Sequence, residues 1–392
     1  MFFSLQEHGR GDMGLWSAHV RHPSLGLVLP CNYALHGLHC LWIQVCKFLF
    51  MQVPLLRCLK LHKVTDPCVF LDELPGVSVI KPLMGVDPFL KCNLESYFTI
   101  IYPKFELLFC VQDDQDPAIS LVQKLTERYP NVDCTLFIGG KDGIVNPMIH
   151  NMAPAYENCK YSTIWIATSR IEANTDMLLD MVGKLQLPNV ALVHQLPFTV
   201  DNLGFCAAVE KCRFEAVLGI LNLVRSALFR MLHIPRGFHH QLAALPALQN
   251  VANTTIASFK DRLVRWLRLR MNMVPPVACF LEPLGECFVL GVYASWSACY
   301  LFEVNPYLWF IGHTCVWCMA DYIHLLQVQG GPLPFSKLTY IGAWLVRELL
   351  YFIVYFEAVI DVRHIIWGNR TYRLSHFGRT VEKVPDKSAF LI

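Results

Sequence analysis

The chain has 392 residues, of which 54% are hydrophobic and only 16% charged, against about 25% charged in an average soluble domain. Its formal net charge of +2 argues against a polyanion such as nucleic acid as partner. The sixteen cysteines are scattered, several of them inside apolar runs, and read as reduced small hydrophobes and not as a disulfide frame. Cys315 and Cys318 form a CxxC, but the stretch around them, WFIGHTCVWCMADYIHLL, is too hydrophobic for an ordinary zinc knuckle.

In chain order, residues 1–32 carry no clear signature and no compact charged, apolar and cleavage regions of a signal peptide. Residues 33–56, YALHGLHCLWIQVCKFLFMQVPLL, are apolar and long enough to cross a bilayer, although His36, His39 and Lys47 interrupt them. Arg57, Lys60 and Lys63 follow at once, which by the positive-inside tendency places the next domain in the cytosol. Residues 74–255 read as an α/β unit. VSVIKPL, FELLFCVQD, CTLFIGG, STIWIAT and NVALVHQLP are short strand-like runs that end in turn residues. Between them lie helical stretches such as DPAISLVQKLTERYP, with Asp116 as N-cap and Pro130 as stop. Alternating strands and helices predict a mostly parallel sheet with ligands at the carboxyl ends of its strands.

The second half changes character. Within 206–255, VLGILNLVRSALFRML has helical spacing, and His239-His240 reads as a turn. Residues 256–274 interleave Lys260, Arg262, Arg265, Arg268 and Arg270 with apolar residues, the pattern of a helix lying in a membrane interface. Three apolar segments follow within 284–360 (284–302, 307–325 and 338–360), the first two joined by a tight EVNP turn. Asp321 and Glu348 are costly in lipid, so they should face protein or a cavity. Residues 361–392 form a tail. The expectation is an α/β nucleotide-sugar domain with an N-terminal membrane anchor and a C-terminal cluster of transmembrane helices.

Two constellations carry chemistry. In LLFCVQDDQDPAI, Asp113, Asp114 and Asp116 crowd the end of a strand. Acids there hold a divalent cation, bond a ribose or base, act as a general base, or merely cap and shape the turn. In RLVRW, Arg262 and Arg265 share one helix face, and each guanidinium is a planar fork suited to phosphate. Trp266 beside them either walls a pocket or anchors the helix at a bilayer surface.

The order LPGVSVIKPLMGVDP, CVQDDQDPAI, YPNVDCTLFIGGK, LVHQLP, RLVRW, LRLRMNMVP and QVQGGPLPFSKL resembles the ceramide glucosyltransferases over roughly residues 60–206 and 255–375. The resemblance implies a GT-A-type domain on the cytosolic face of a multi-pass Golgi membrane protein. It also implies transfer of glucose from UDP-glucose to ceramide with inversion, aided by Mg²⁺ or Mn²⁺. The signature of such proteins is three aspartate motifs followed by (R/Q)xxRW. Carried over, Asp113 takes the first aspartate position, which contacts the UDP moiety, and Asp114 and Asp116 are left to the turn and the next helix. His194 in LVHQLP matches a histidine close to the site. Arg262, Arg265 and Trp266 match the motif that meets diphosphate and acceptor.

The chain also departs from that pattern. After STIWIAT the family has Asp-Ser-Gly, whereas this chain reads Thr168-Ser169-Arg170. Thr168 replaces the metal-side carboxylate, a poor exchange for a hard cation, and Arg170 offers a way to neutralise a diphosphate without metal. The base expected in a third aspartate motif has no counterpart. Between Asp201 and Asp261 the acids are Glu210 and Glu215, in no matching context. Met148 stands where the family's NPxI carries a lysine. The alternatives are an altered member, a catalytically impaired relative that binds sphingolipid or UDP-sugar or serves as a scaffold, and an enzyme for another sugar nucleotide or acceptor.

Overall fold

The computed structural model describes residues 74–144, 146–202, 204–213, 238–250, 255–367, 370–374 and 380–383. The expected anchor at 33–56 and the helix predicted from VLGILNLVRSALFRML therefore lie outside the described residues. The first half is built on β1 (Val77–Leu83), β2 (Phe105–Val111), β3 (Cys134–Ile138) and β4 (Thr163–Ile166). They form a parallel sheet in the order β3-β2-β1-β4. The β1 and β2 runs are buried almost throughout, as strands of a sheet covered on both faces must be.

Side-chain alternation sorts the two faces. Val77, Val79, Leu107, Phe109 and Val111 pack with α1 (Leu90–Phe98), α2 (Ala118–Arg128) and α4 (Thr175–Leu185). Ile80, Leu108 and Cys110, one residue out of phase, pack with Met152 and Ala155 of α3 (Pro147–Glu157). Met148 belongs to that second cluster, so the methionine has been absorbed into packing. The strand order reverses beside β1, between the β2 and β4 sides, which is where open α/β sheets hold ligands.

A second group of short strands follows. β5 (Val190–His194) pairs in parallel with β7 (His239–Leu242), and β6 (Pro197–Thr199) with β8 (Ala247–Gln249). His239 and His240 are thus in a strand and not in a turn. Their backbone groups are paired in register with Val190 and Leu192, a long-range partner invisible to local turn propensity.

The helical half comprises α5 (205–213), α6 (Ile256–Met273), α7 (Cys287–Phe302), α8 (Pro306–Gln329) and α9 (Lys337–Ile360). The EVNP turn is closed by Glu303 in the left-handed region and by Asn305, whose side chain accepts from the amides of Tyr307 and Leu308. Phe259, Leu263, Val264, Leu267 and Met271 of α6 are buried in one core with Ala343, Trp344 and Leu350 of α9. The apolar face of α6 is therefore covered by protein, where a helix lying in the membrane interface would present it to lipid. Among the described residues no single helix is long and apolar enough to cross a membrane; the bent pair Val277–Leu284 and Cys287–Phe302, at 60°, passes that test together. Asp321 in α8 and Arg347 and Glu348 in α9 lower the hydropathy of the other two. These three are buried against one another, as the cost of a bare charge requires. Strands β9 (His364–Trp367), β10 (Arg370–Leu374) and β11 (Thr380–Lys383) make a closing antiparallel sheet.

Candidate functional site

At the carboxyl end of β2, Asp113 is exposed and accepts from the Gln115 amide at 3.0 Å. Asp116 accepts from the amide of Ala118, the first residue of α2, and from Gly85 after β1, both at 2.8 Å. Asp116 is thus a cap that also ties the β1 loop to β2, and Asp113 is left facing outward. Beside it, Gly139 and Gly140 follow β3 with positive φ. A Cβ on Gly140 would come within 2.4 Å of the His150 ring, so the His150 ring closes this corner only over a glycine.

Lys81 on β1 lies beneath the turn after β4. It is wholly buried, its Nζ donates to the carbonyl of Thr168 at 3.0 Å, and it lies 3.5 Å over the Tyr97 ring. Burial drives its pKa well below the usual lysine range. Lys81 links β1 to the turn after β4, so it holds the Thr168–Arg170 segment from below. Nothing in VSVIKPL distinguishes it from a solvent-facing strand lysine, which is why sequence reading passes it over.

The five cations of α6 separate by partner. Lys260 pairs with Glu357. Arg270 makes a two-pronged pair with Glu282 at 2.9 and 3.0 Å. Arg268 donates to the carbonyls of His364 and Glu357, both at 3.0 Å. These three are structural. Arg262 pairs with Glu210 of α5, and its buried Nε–H, like that of Arg268, has no acceptor among the described residues. Among the described residues Arg265 has one long contact, 3.4 Å to the carbonyl of Ile366. Trp266 is half-buried against the helical core and lies under the Arg262 guanidinium at 5.9 Å. It packs within the protein and braces the arginine.

Arg170, exposed on the turn after β4, completes the group. Its carbonyl accepts from the Asn250 amide at 2.9 Å, just beyond β8 and shortly before α6. Burial first, then the neighbouring Arg262 and Arg170, hold Arg265 below the usual arginine pKa. Arg170 and Arg262 thus both act on the charge of Arg265, and Glu210 pairs with Arg262. His194 lies on β5, its ring 5.2 Å from that of His240. Asp113 lies across β1 from the arginines, two strands from β4.

A divalent cation such as Mg²⁺ or Mn²⁺ requires several hard oxygen ligands, carboxylates above all. The turn after β4 supplies the Thr168 hydroxyl and a guanidinium. Among the described residues no three His, Cys, Asp or Glu side chains gather as a metal site. The donor set at this corner does not fit the cation that the family resemblance implies; it fits an anion.

α5 joins this corner to the helical half. Glu210 holds Arg262, and Lys211 pairs with Asp201, which also accepts from Gln329 at the end of α8 at 3.0 and 3.1 Å. The carbonyl of Cys212 takes Arg347 of α9 at 3.0 Å. The sequence signal for Glu210 is weak: an acid fifty-two positions from Arg262 has no local pattern to mark it.

Comparisons with known proteins follow the same outline. The model of glycosyl transferase family 21 matches residues 28–234 and 227–380. Ceramide glucosyltransferase 3 of Caenorhabditis elegans is 34% identical over 354 residues, 81% of this chain and 76% of that one. Ceramide glucosyltransferase 1 of the same organism is 31% identical over 388 residues, 88% and 82% of the two chains. A solved mannosyltransferase of Pyrobaculum calidifontis, in complex with GDP-Man and Mn²⁺, overlays loosely, with a TM-score of 0.45 and 14% identity over 84% of this chain and 99% of that one. On the extent of the family match and of these identities, the chain belongs to glycosyl transferase family 21, the family of the ceramide glucosyltransferases.

Proposed function

We propose that this glycosyltransferase transfers glucose from UDP-glucose to ceramide with inversion, giving glucosylceramide. One observation carries the reading: α6, which bears Arg262 and Arg265, packs on the apolar helical core, and Asn250 shortly before it donates to the carbonyl of Arg170 on the turn after β4. A nucleotide diphosphate belongs on the sheet side and a lipid acceptor on the helix side. In the reaction, the ceramide hydroxyl oxygen bonds to the anomeric carbon from the face opposite UDP. The bond from that carbon to the diphosphate oxygen breaks, UDP leaves with the bonding pair, and the hydroxyl proton passes to a base. Arg262 and Arg265 stabilise the charge that develops on the leaving diphosphate. Asp113 is assigned to the uridine end and His194 to the rim. The proposal includes a Golgi membrane with the α/β unit facing the cytosol.

A second reading, a UDP-sugar- or sphingolipid-binding protein without turnover, is favoured by the state of Glu210. It is the one acid described between Asp201 and Asp261, and it is already committed to Arg262. The deciding assay is glucose transfer to a short-chain ceramide in membranes of cells that lack this activity, with Arg265→Ala as control. Product that vanishes in the control supports transfer. No product from a folded, inserted chain leaves the binding reading.

A further inference from the structure

The guanidinium group beyond β4 carries more positive charge than its protein partners neutralise. Glu210 answers Arg262. Among the described residues Arg265 has only a carbonyl at 3.4 Å, and the Arg170 side chain is exposed with no acceptor. Like charges held together in a half-buried corner raise each other's free energy, and an anion of about two charges relieves them. Forked donors on Arg170, Arg262 and Arg265 suit the oxygens of a diphosphate.

The turn that carries Arg170 is built, not incidental. Lys81 holds the Thr168 carbonyl from below. Ile171 bridges Gln249, and Asn250 donates to the Arg170 carbonyl. The backbone on both sides of Arg170 is therefore pinned while its side chain stays available.

We infer that Arg170 is a diphosphate-binding residue that takes the place of a divalent cation in this chain, so that the nucleotide sugar is held by Arg170, Arg262 and Arg265 without metal. This rests on the proposed use of a UDP-sugar donor. Asp113 alone is a weak cation ligand, and a cation brought beside Arg170 would be repelled by it. On departure, the electron pair of the broken glycosidic bond stays on the β-phosphate oxygen, and the added charge meets guanidinium N–H donors. No proton or further reactant is needed for that half of the step.

The test is UDP binding to the full chain in lipid nanodiscs, measured by calorimetry in EDTA and again in Mn²⁺. The wild-type affinity should agree between the two within about twofold. Arg170→Gln should weaken UDP in EDTA by about tenfold or more, the loss expected for a charge-assisted contact. Arg170→Lys, which keeps the charge, should restore a good part of it. UMP, which lacks the β-phosphate, should be much less sensitive to either substitution. Arg170 is exposed, and circular dichroism of each variant checks that the fold is intact. UDP binding that needs Mn²⁺ overturns the inference and leaves the proposed donor standing. So does UDP binding by Arg170→Gln equal to wild type in EDTA. Absence of UDP binding in both buffers, from a folded chain, overturns the inference and the donor reading together.

Discussion

Arg262 and Glu210 meet across fifty-two residues, and their exchange of charge shapes the site more than either does alone. With both side chains largely buried, removal of the acid leaves a cation in a low-dielectric corner already holding Arg265. We expect Glu210→Gln to lower stability by about 3 kcal/mol, the range for breaking a buried pair. Because UDP would return a counter-charge to Arg262, the nucleotide should raise the melting temperature of Glu210→Gln by more than that of the wild type. Thermal scanning with and without UDP checks this, and equal shifts would count against a shared anion site. The acids at 113–116 divide by the same accounting of partners. Asp116 has two amides to satisfy and is a cap, whereas Asp113 has one and stays exposed.

Among the elements, α9 depends on a buried charge set. Arg347 reaches Asp321 of α8, its neighbour Glu348 and the Cys212 carbonyl of α5, and the Trp344 indole donates to Asp321 at 2.7 Å. Arg347→Met should cost about 3–5 kcal/mol, because two carboxylates lose their counter-ion inside the protein. Arg347→Met with Asp321→Asn and Glu348→Gln should recover much of the loss, since the uncompensated charges go with it. A double- and triple-mutant series in detergent reads this directly. The other helices follow local rules. Ser336 caps α9 through the Thr339 amide, and Gly330 ends α8 in the left-handed region. Both ends depend only on a few adjacent residues. The strand character of His239–Leu242 does not, because its partner β5 is about fifty residues earlier in the chain.

For the whole molecule, α7, α8 and α9 expose large apolar side chains outward, among them Trp296, Ile311, Met319, Leu345, Ile353 and Phe356. Faces of this kind are covered by lipid or by protein, and the proposed ceramide acceptor favours lipid. The full chain should therefore stay in the membrane pellet through an alkaline carbonate wash and leave it only with detergent. Release by carbonate would remove the membrane part of the proposal.

The sequence by itself determined the alternating strands of the α/β unit, the helical second half, the arginine face of RLVRW and the cap at Asp116, and its motif order pointed to the family. Each of these rests on short-range periodicity or on adjacent residue types. Only the tertiary structure decided that Lys81 is buried beneath the turn after β4, that α6 spends its apolar face on the protein core, and that Glu210 pairs with Arg262 while Asn250 meets the Arg170 carbonyl. Burial and charge pairing join residues from β1, the β4 turn, α5 and α6, and their energies depend on distance in space, which separation along the chain does not encode.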